Sequence, residues 1–381
     1  MKRLALWDLG LRPFYLLASV FAALSVALWA AQYSGRLPGA YLAGSVWHAH
    51  EMLFGYTMAV IAGFLFTAVR NWTQRPTPTG WLLAGYAVLW LAGRVLVLTP
   101  YALAAAIVNA AFPLAVAAGI AVPMVRSGNK RNYFFIALLA AIGVAAIFVH
   151  LALLGAIEWP ARIGLRAGLD LVLFIVAVVA GRVIPMFTNN GVPGAGARRI
   201  DVVEKASLAS LLLLLGCDLG GWGAGAGVVA AAAAVANAAR LALWHPWKTL
   251  RTPLVWILHA SYAWIVIHLA LRALAFTGLV PDNLATHALT VGVIGGMTIG
   301  MMTRTARGHS GRPLVAGRAE VAAYALVMLA ALVRVFGALL APQWYMASVT
   351  LSAACWSAGF ATYAVRYAPI LVLPRADGQP G

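Results

Sequence analysis

Apolar residues fall in long blocks along the chain, separated by short clusters of Pro, Gly, Asn, Arg and Lys. A helix needs about 20 consecutive apolar residues to cross the hydrocarbon core of a bilayer. By that rule the blocks predict twelve transmembrane helices, over 14–33, 46–69, 80–98, 101–125, 132–155, 165–187, 203–221, 224–243, 253–276, 284–304, 318–340 and 344–366. The third and fourth are divided only by Thr99 and Pro100, the seventh and eighth only by Gly220 to Gly223. The remaining residues, roughly 140, are spread too thinly over loops and tails to make a separate domain. The expected architecture is an all-α membrane protein with a single polytopic domain over 1–381.

Of 381 residues, 63% are hydrophobic, and only 27 are basic and 10 acidic. That lies far below the ~25% charged content of soluble domains, and no single aqueous core could hide so much apolar surface. A soluble enzyme, a secreted disulfide scaffold and a disordered tail are excluded, and the lipid bilayer is the first expected partner. Cys217 and Cys355 lie in apolar runs and fit neither a disulfide framework nor a CxxC metal pair. The basic start leads into an apolar run that ends at Gln32-Tyr33-Ser34-Gly35 without a small-x-small cleavage site, so it reads as a first span.

The net charge of +17 follows from topology, not from nucleic acid as a partner. One set of helix ends carries 21 of the 27 basic residues, from Lys2, Arg3 and Arg12 through Arg70, Arg126, Arg198, Arg240 and Arg304 to Arg375. The opposite ends carry only Arg36, Arg94, Arg162, Arg166, Arg272 and Arg334. The positive-inside rule then puts both termini in the cytoplasm.

Three even-numbered spans end alike on that side. Helix 2 ends Phe66-Thr67-Ala68-Val69-Arg70-Asn71, helix 6 Phe187-Thr188-Asn189-Asn190-Gly191 and helix 10 Met302-Thr303-Arg304-Thr305, each followed by a proline. The threonines are 121 and 115 residues apart, near a third of the chain, which points to three arcs of four helices or to a chance recurrence of loop-forming residues. His50, Asp170 and His287 precede these threonines by 17, 18 and 16 residues. Their common depth is ~25 Å from the cytoplasmic ends.

Topology also sorts the eight histidines. His245 and His309 fall in inner loops, and His259 enters helix 9 from the inside. His48, His50, His150, His268 and His287 lie toward the outer face. Ionisable groups at membrane depth are costly and usually face the bundle interior. Imidazole suits haem iron, copper and zinc, so the group is expected to bind a metal or cofactor. The densest cluster is Trp47-His48-Ala49-His50-Glu51-Met52. Positions i and i+2 diverge by ~200° on a helix, so His48 and His50 cannot easily share one metal. Glu51, three residues after His48, is placed to take its N–H or to sit as an interfacial charge. On helix 10, His287 is followed by Gly292, Gly295, Gly296 and Gly300, a smooth face for a flat ring or another helix. Met297 and Met301 stack at i, i+4, a spacing suited to Cu(I) or to packing. His259 and His268 are ~180° apart around helix 9, so at most one faces a given site. Arg94, on the outer side, could pair with haem propionates or with headgroups.

Several of these stretches resemble the NnrS family of multi-spanning bacterial membrane proteins. They are Arg12-Pro13-Phe14, Trp47-His48-Ala49-His50-Glu51-Met52-Leu53-Phe54-Gly55, Ala62-Gly63-Phe64-Leu65 with Asn71-Trp72-Thr73, Gly181-Arg182-Val183-Ile184-Pro185-Met186-Phe187-Thr188-Asn189-Asn190-Gly191, and His287 through Arg304 to Gly308-His309-Ser310-Gly311-Arg312. The resemblance runs from helix 1 to the loop after helix 10. It implies a twelve-span protein of the bacterial cytoplasmic (inner) membrane that binds haem and copper and protects against nitrosative stress, often beside denitrification systems. Nitric oxide or its iron complexes are the implied ligand. Haem–copper oxidases and nitric oxide reductases place haem-ligating histidines on helices 2 and 10, and His50 (or His48) with His287 matches that by analogy. Their copper-ligating histidines on helices 6 and 7 have no counterpart here, which argues against a standard binuclear site.

The expected sites are then His48 or His50 with His287 as axial haem ligands, and His259 or His268 as a further metal ligand. Met297 and Met301 are copper candidates, and Glu51, Asp170 and Arg94 are supporting residues. Three functions follow. The favoured one is a haem and copper protein that senses, sequesters or detoxifies nitric oxide, a small apolar molecule concentrated in lipid. A redox enzyme acting on nitrogen oxides needs a second metal near the haem, whose ligands are hard to find. A transporter is suggested by Pro185 and Asn189-Asn190-Gly191 as a broken helix end, but the outer histidines do not sit at a midplane site.

Overall fold

The computed structural model describes residues 4–33, 35–36 and 40–379, so Lys2, Arg3 and Ser34 lie outside the described residues. The described residues form twelve helices, with no strand among them. They are α1 Leu11–Tyr33, α2 Gly44–Thr73, α3 Gly80–Leu96, α4 Ala102–Arg126, α5 Phe134–Leu153, α6 Arg162–Gly191, α7 Asp201–Leu219, α8 Gly223–Leu243, α9 Pro253–Phe276, α10 Asp282–His309, α11 Arg318–Leu340 and α12 Tyr345–Val372. Each apolar block yields one helix, because in hydrocarbon every backbone N–H and C=O must be bonded within its own segment.

Among the described residues, nine helices are long and apolar enough to cross a membrane, which makes this a multi-pass membrane protein. The other three differ from the expected spans for visible reasons. The α3 helix has only 17 residues. In 19 residues α7 carries Asp201, Glu204, Lys205 and Asp218. Serines, threonines, tyrosines and Arg366 dilute the apolar character of α12.

Packing gathers the chain into two compact units. Unit 1 comprises Met1–Leu171, Thr305–Pro313 and Ala364–Gly381, and unit 2 comprises Val172–Arg304 and Leu314–Tyr363. Within unit 1, α2 is central: 83% of its most apolar stretch is buried, against 33% for α1. Leu42, Trp47, Val97 and Ala105 form an apolar cluster around the start of α2. Within unit 2, α9 and α10 pack closely, with Gly292 against Trp264, Gly296 against Ser261 and Gly300 against Leu258. The glycine face of α10 is thus occupied by a neighbouring helix and not left open for a flat ring.

Among the described residues three helices carry π-helical turns, α11 over Val333–Gly337 and two others next to a histidine. Directly after His50 the α2 helix widens into π-helical turns over Glu51–Thr57. Directly after His287 the α10 helix does the same over Ala288–Gly295. Such turns are rare and concentrate at functional sites. In α2 the widened backbone is held by Thr57, whose hydroxyl donates to Met52 O at 2.7 Å, and by Trp90, whose indole N–H donates to Gly55 O at 2.9 Å. The repeated threonines also share a geometry. Thr67, Thr188 and Thr303 are buried, and each hydroxyl donates to the carbonyl four residues back, at 2.9, 2.7 and 2.7 Å.

Candidate functional site

The start of α2 points its two histidines apart, as helical geometry requires. His48 is half-buried with its ring centroid 5.6 Å from that of Trp29. His50 is fully buried against Phe54, with centroids 5.2 Å apart. Glu51 is also fully buried, and its Oε1 accepts from His50 Nδ1 at 2.8 Å. This corrects the sequence expectation, in which Glu51 served His48. The cause is Arg94 of α3, which lies 3.2 Å from the same oxygen and holds the carboxylate on the His50 side.

Arg94 in turn donates to Asn109 Oδ1 of α4, and the Asn109 amide donates to Ala105 O at 2.8 Å. The guanidinium is therefore buried between a carboxylate and an amide, not turned out to lipid. Gly55 makes room for it, since a Cβ there would run into the Arg94 Nη1 atom.

The residue that completes the site is His150, near the end of α5. Its Nε2 lies 3.1 Å from His50 Nε2, and its Nδ1 lies 3.2 Å from the Tyr41 hydroxyl. The network assigns the protons. His50 Nδ1–H donates to Glu51, so His50 Nε2 is a lone pair. His150 Nε2–H donates to it, and Tyr41 O–H donates to His150 Nδ1. A cation between the two Nε2 atoms would reverse His150: its proton would move to Nδ1 and point at the Tyr41 oxygen. Both histidines thus have a partner able to fix the ligating tautomer. Glu51 Oε2 is sealed from solvent and has no hydrogen-bond partner among the described residues. Among the described residues no group of three or more His, Cys, Asp or Glu is placed to hold a metal, so the donor set here is two imidazoles.

The other expected ligands belong to unit 2. His287 Nδ1 donates to Asn283 O at 2.6 Å, and His268 Nδ1 donates to Ala285 O at 2.8 Å. Both hydrogen bonds leave Nε2 as the ligating atom, and both reach the first turns of α10. His259 lies elsewhere on α9, 2.8 Å from the Thr188 hydroxyl, with its Nδ1 sealed and without a hydrogen-bond partner among the described residues. Met297 and Met301 are buried on α10, and Asp170, which belongs to unit 1, is buried on α6. His50 and His287, the expected axial pair, are in different units, each with its own local partners.

Unit 2 also contains a buried network that the sequence did not reveal. Arg240 of α8 makes a forked pair with Glu204 of α7, at 3.0 and 2.6 Å. Its Nη1 donates to Ala177 O at 2.9 Å and to the Tyr262 hydroxyl at 3.0 Å. Tyr262 passes its own proton to Asn237 Oδ1 at 2.6 Å. Charge counting had placed Arg240 at a helix end in contact with the aqueous side, yet it is 1% exposed. For His150 a signal existed: it shares the outer depth of His50. For Arg240 the signal was Glu204, one of two acids in the apolar block over 203–221.

Comparison with known proteins gives one result. The family model described as NnrS protein matches residues 5–375, nearly the whole chain. No curated protein matches the chain.

Proposed function

The chain belongs to the NnrS family, and from that premise we propose a protein of the nitric oxide response that binds copper at the His50–His150 pair and haem through His287 with His268. The observation that carries the reading is the meeting of two buried imidazole Nε2 atoms at 3.1 Å, each with its Nδ1 side backed by Glu51 or Tyr41. Two neutral imidazoles suit a copper ion, and the carboxylate behind one of them raises its basicity. Backbone carbonyls at His268 and His287 provide the tautomer that an axial haem ligand needs. Bound there, copper and haem would supply one-electron chemistry and a place for a diatomic ligand. The chain's own residues orient the imidazoles, exclude water and balance charge. Met297 and Met301 on α10, and His259 beside Thr188, are secondary candidates.

We further read twelve spans with both termini cytoplasmic in a bacterial inner membrane, on the strength of the alternation of basic residues. The three back-bonded threonines support an arrangement in arcs of four helices. The test is a visible spectrum of the purified protein, oxidised and reduced, with and without nitric oxide, and metal analysis of the same sample. His50→Ala and His150→Ala should each lose copper and keep the haem spectrum, His287→Ala should lose the haem, and His48→Ala should keep both. Folded protein carrying neither haem nor copper would refute the reading.

A further inference from the structure

The Gly308-His309-Ser310-Gly311-Arg312 stretch is not used by the site above, yet it is held firmly in unit 1. Ser310 O accepts the Ala376 N–H at 2.9 Å, and Arg375 Nη1 reaches His309 O at 3.4 Å. Gly311 has φ +68°, and a Cβ there would run into the Asp377 carboxylate, so the loop is moulded to the C-terminal segment. Arg12 locks the same segment from the other side: its Nη1 donates to Leu371 O and Leu373 O at 3.0 and 2.8 Å.

This framework concentrates positive charge. The electrostatic neighbours of the His309 imidazole are Arg375, Arg12 and Arg70, and those of Arg12 include Arg375 and Arg312. Three guanidinium groups, from α1, α2 and the C-terminal segment, therefore act on one imidazole, and Arg312, whose Nη1 donates to Ser310 O at 3.4 Å, adds a fourth beside Arg12. Two carboxylates oppose them. Asp377 is already engaged by Arg375, at 2.9 and 2.5 Å, and Asp8 is the acidic neighbour of Arg12. The charge balance of the cluster stays positive. Arg12 is 2% exposed and its Nε is sealed without a partner, and the His309 ring makes no hydrogen bond among the described residues.

We propose that this arginine cluster around His309 is a binding site for a phosphate group, carried by an anionic phospholipid headgroup or present as free inorganic phosphate. A carboxylate ligand has two oxygens and is satisfied by a single arginine fork, as Asp377 is by Arg375. Cations converging from four chain segments suit a group with more oxygens and more charge. The cluster lies at the ends of α1, α2 and α10 that the basic-residue count assigns to the cytoplasm, where anionic headgroups gather. The inference is independent of copper and haem, and its failure leaves the His50–His150 reading untouched.

The experiment uses the full chain in mild detergent. Native mass spectrometry reads retained phospholipid, and melting temperature reads titration with dioleoylphosphatidylglycerol or with inorganic phosphate. The variant is Arg70→Gln with Arg312→Gln, because each side chain makes one long hydrogen bond, Arg70 to Asp8 O and Arg312 to Ser310 O, both at 3.4 Å. The control is Arg126→Gln with Arg131→Gln, an equal charge loss at exposed positions of the same unit. The Arg70/Arg312 pair should hold the lipid roughly thirtyfold more weakly, a factor of about five per arginine, while the control holds it like the wild type. Saturable stabilisation by inorganic phosphate, lost in the Arg70/Arg312 pair, would support the site with free phosphate as its source. Equal weakening in both pairs, or no dependence of either probe on Arg70 and Arg312, would overturn the proposal. Melting without added lipid checks that every variant is folded.

Discussion

Glu51 stands between a histidine and an arginine with no solvent on any side, and Glu51→Gln tests what it does. The substitution keeps the shape and removes the charge. Arg94 cannot respond by losing its proton, because a guanidinium stays charged in proteins. It would be left buried with Asn109 as its remaining partner. At the 3.2 Å separation of Arg94 from Glu51, an effective dielectric near 20 gives an attraction of about 5 kcal/mol. That agrees with the roughly 3–5 kcal/mol lost when one member of a buried pair is removed. Arg94→Met should cost less, since Glu51 keeps the His50 N–H and can take up a proton. The double variant should be more stable than the sum of the two single losses by at least ~2 kcal/mol. The assay is chemical unfolding of purified protein in detergent, followed by tryptophan fluorescence. Additive losses, within about 0.5 kcal/mol, would show that the two residues are not coupled and refute the argument.

Further outcomes follow from other contacts. Gly55→Ala puts a methyl where the Arg94 guanidinium sits, so it should destabilise by about 1–3 kcal/mol in the same unfolding assay, and Arg94→Met in the same chain should relieve it. Arg240→Lys keeps the charge but loses the fork to Glu204, and should lower stability by about 2–3 kcal/mol. Asp377 is held down at about 2, from an ordinary 3.8, chiefly by its hydrogen bonds from Arg375. A carboxyl with a lowered value contributes stability above its ordinary range and loses it as pH falls. The C-terminal segment should therefore stay locked at neutral pH and loosen between 3.8 and about 2. Limited pepsin digestion across that window would check this, with Asp377→Asn expected to be cut at a rate that no longer depends on the titration.

Helix positions were legible because hydrocarbon forces one long apolar run per helix, and even the two thinnest divisions, at Thr99-Pro100 and Gly220 to Gly223, separate helices as expected. That His50 and Glu51 would be buried among partners was also legible, since two histidines and a glutamate inside an apolar block need them. The identity of those partners was not. His150 lies 100 residues from His50 and has no polar neighbour in its own helix. Arg240 was assigned to the aqueous side because charge counting treats every basic residue at a helix end as interfacial, whereas Glu204 draws it inward. The π-helical turns were invisible, because hydropathy records what a residue is made of and not how many residues complete a turn.

Those turns have a consequence for how the chain can change. The widened stretch of α2 amounts to a surplus residue spliced into a regular rod. Deleting one residue from 51–57 would restore ordinary hydrogen bonding, and the helix on either side would stay nearly in register, because the surplus residue is already accommodated by the widened turns. The residues before 51 would keep their faces, and what would go is the widened backbone whose carbonyls Thr57 and Trp90 engage. The α10 helix carries the same surplus after His287. In these two helices a change of count is absorbed at the widened turns, where in a regular rod it would turn every residue before it by about 100°.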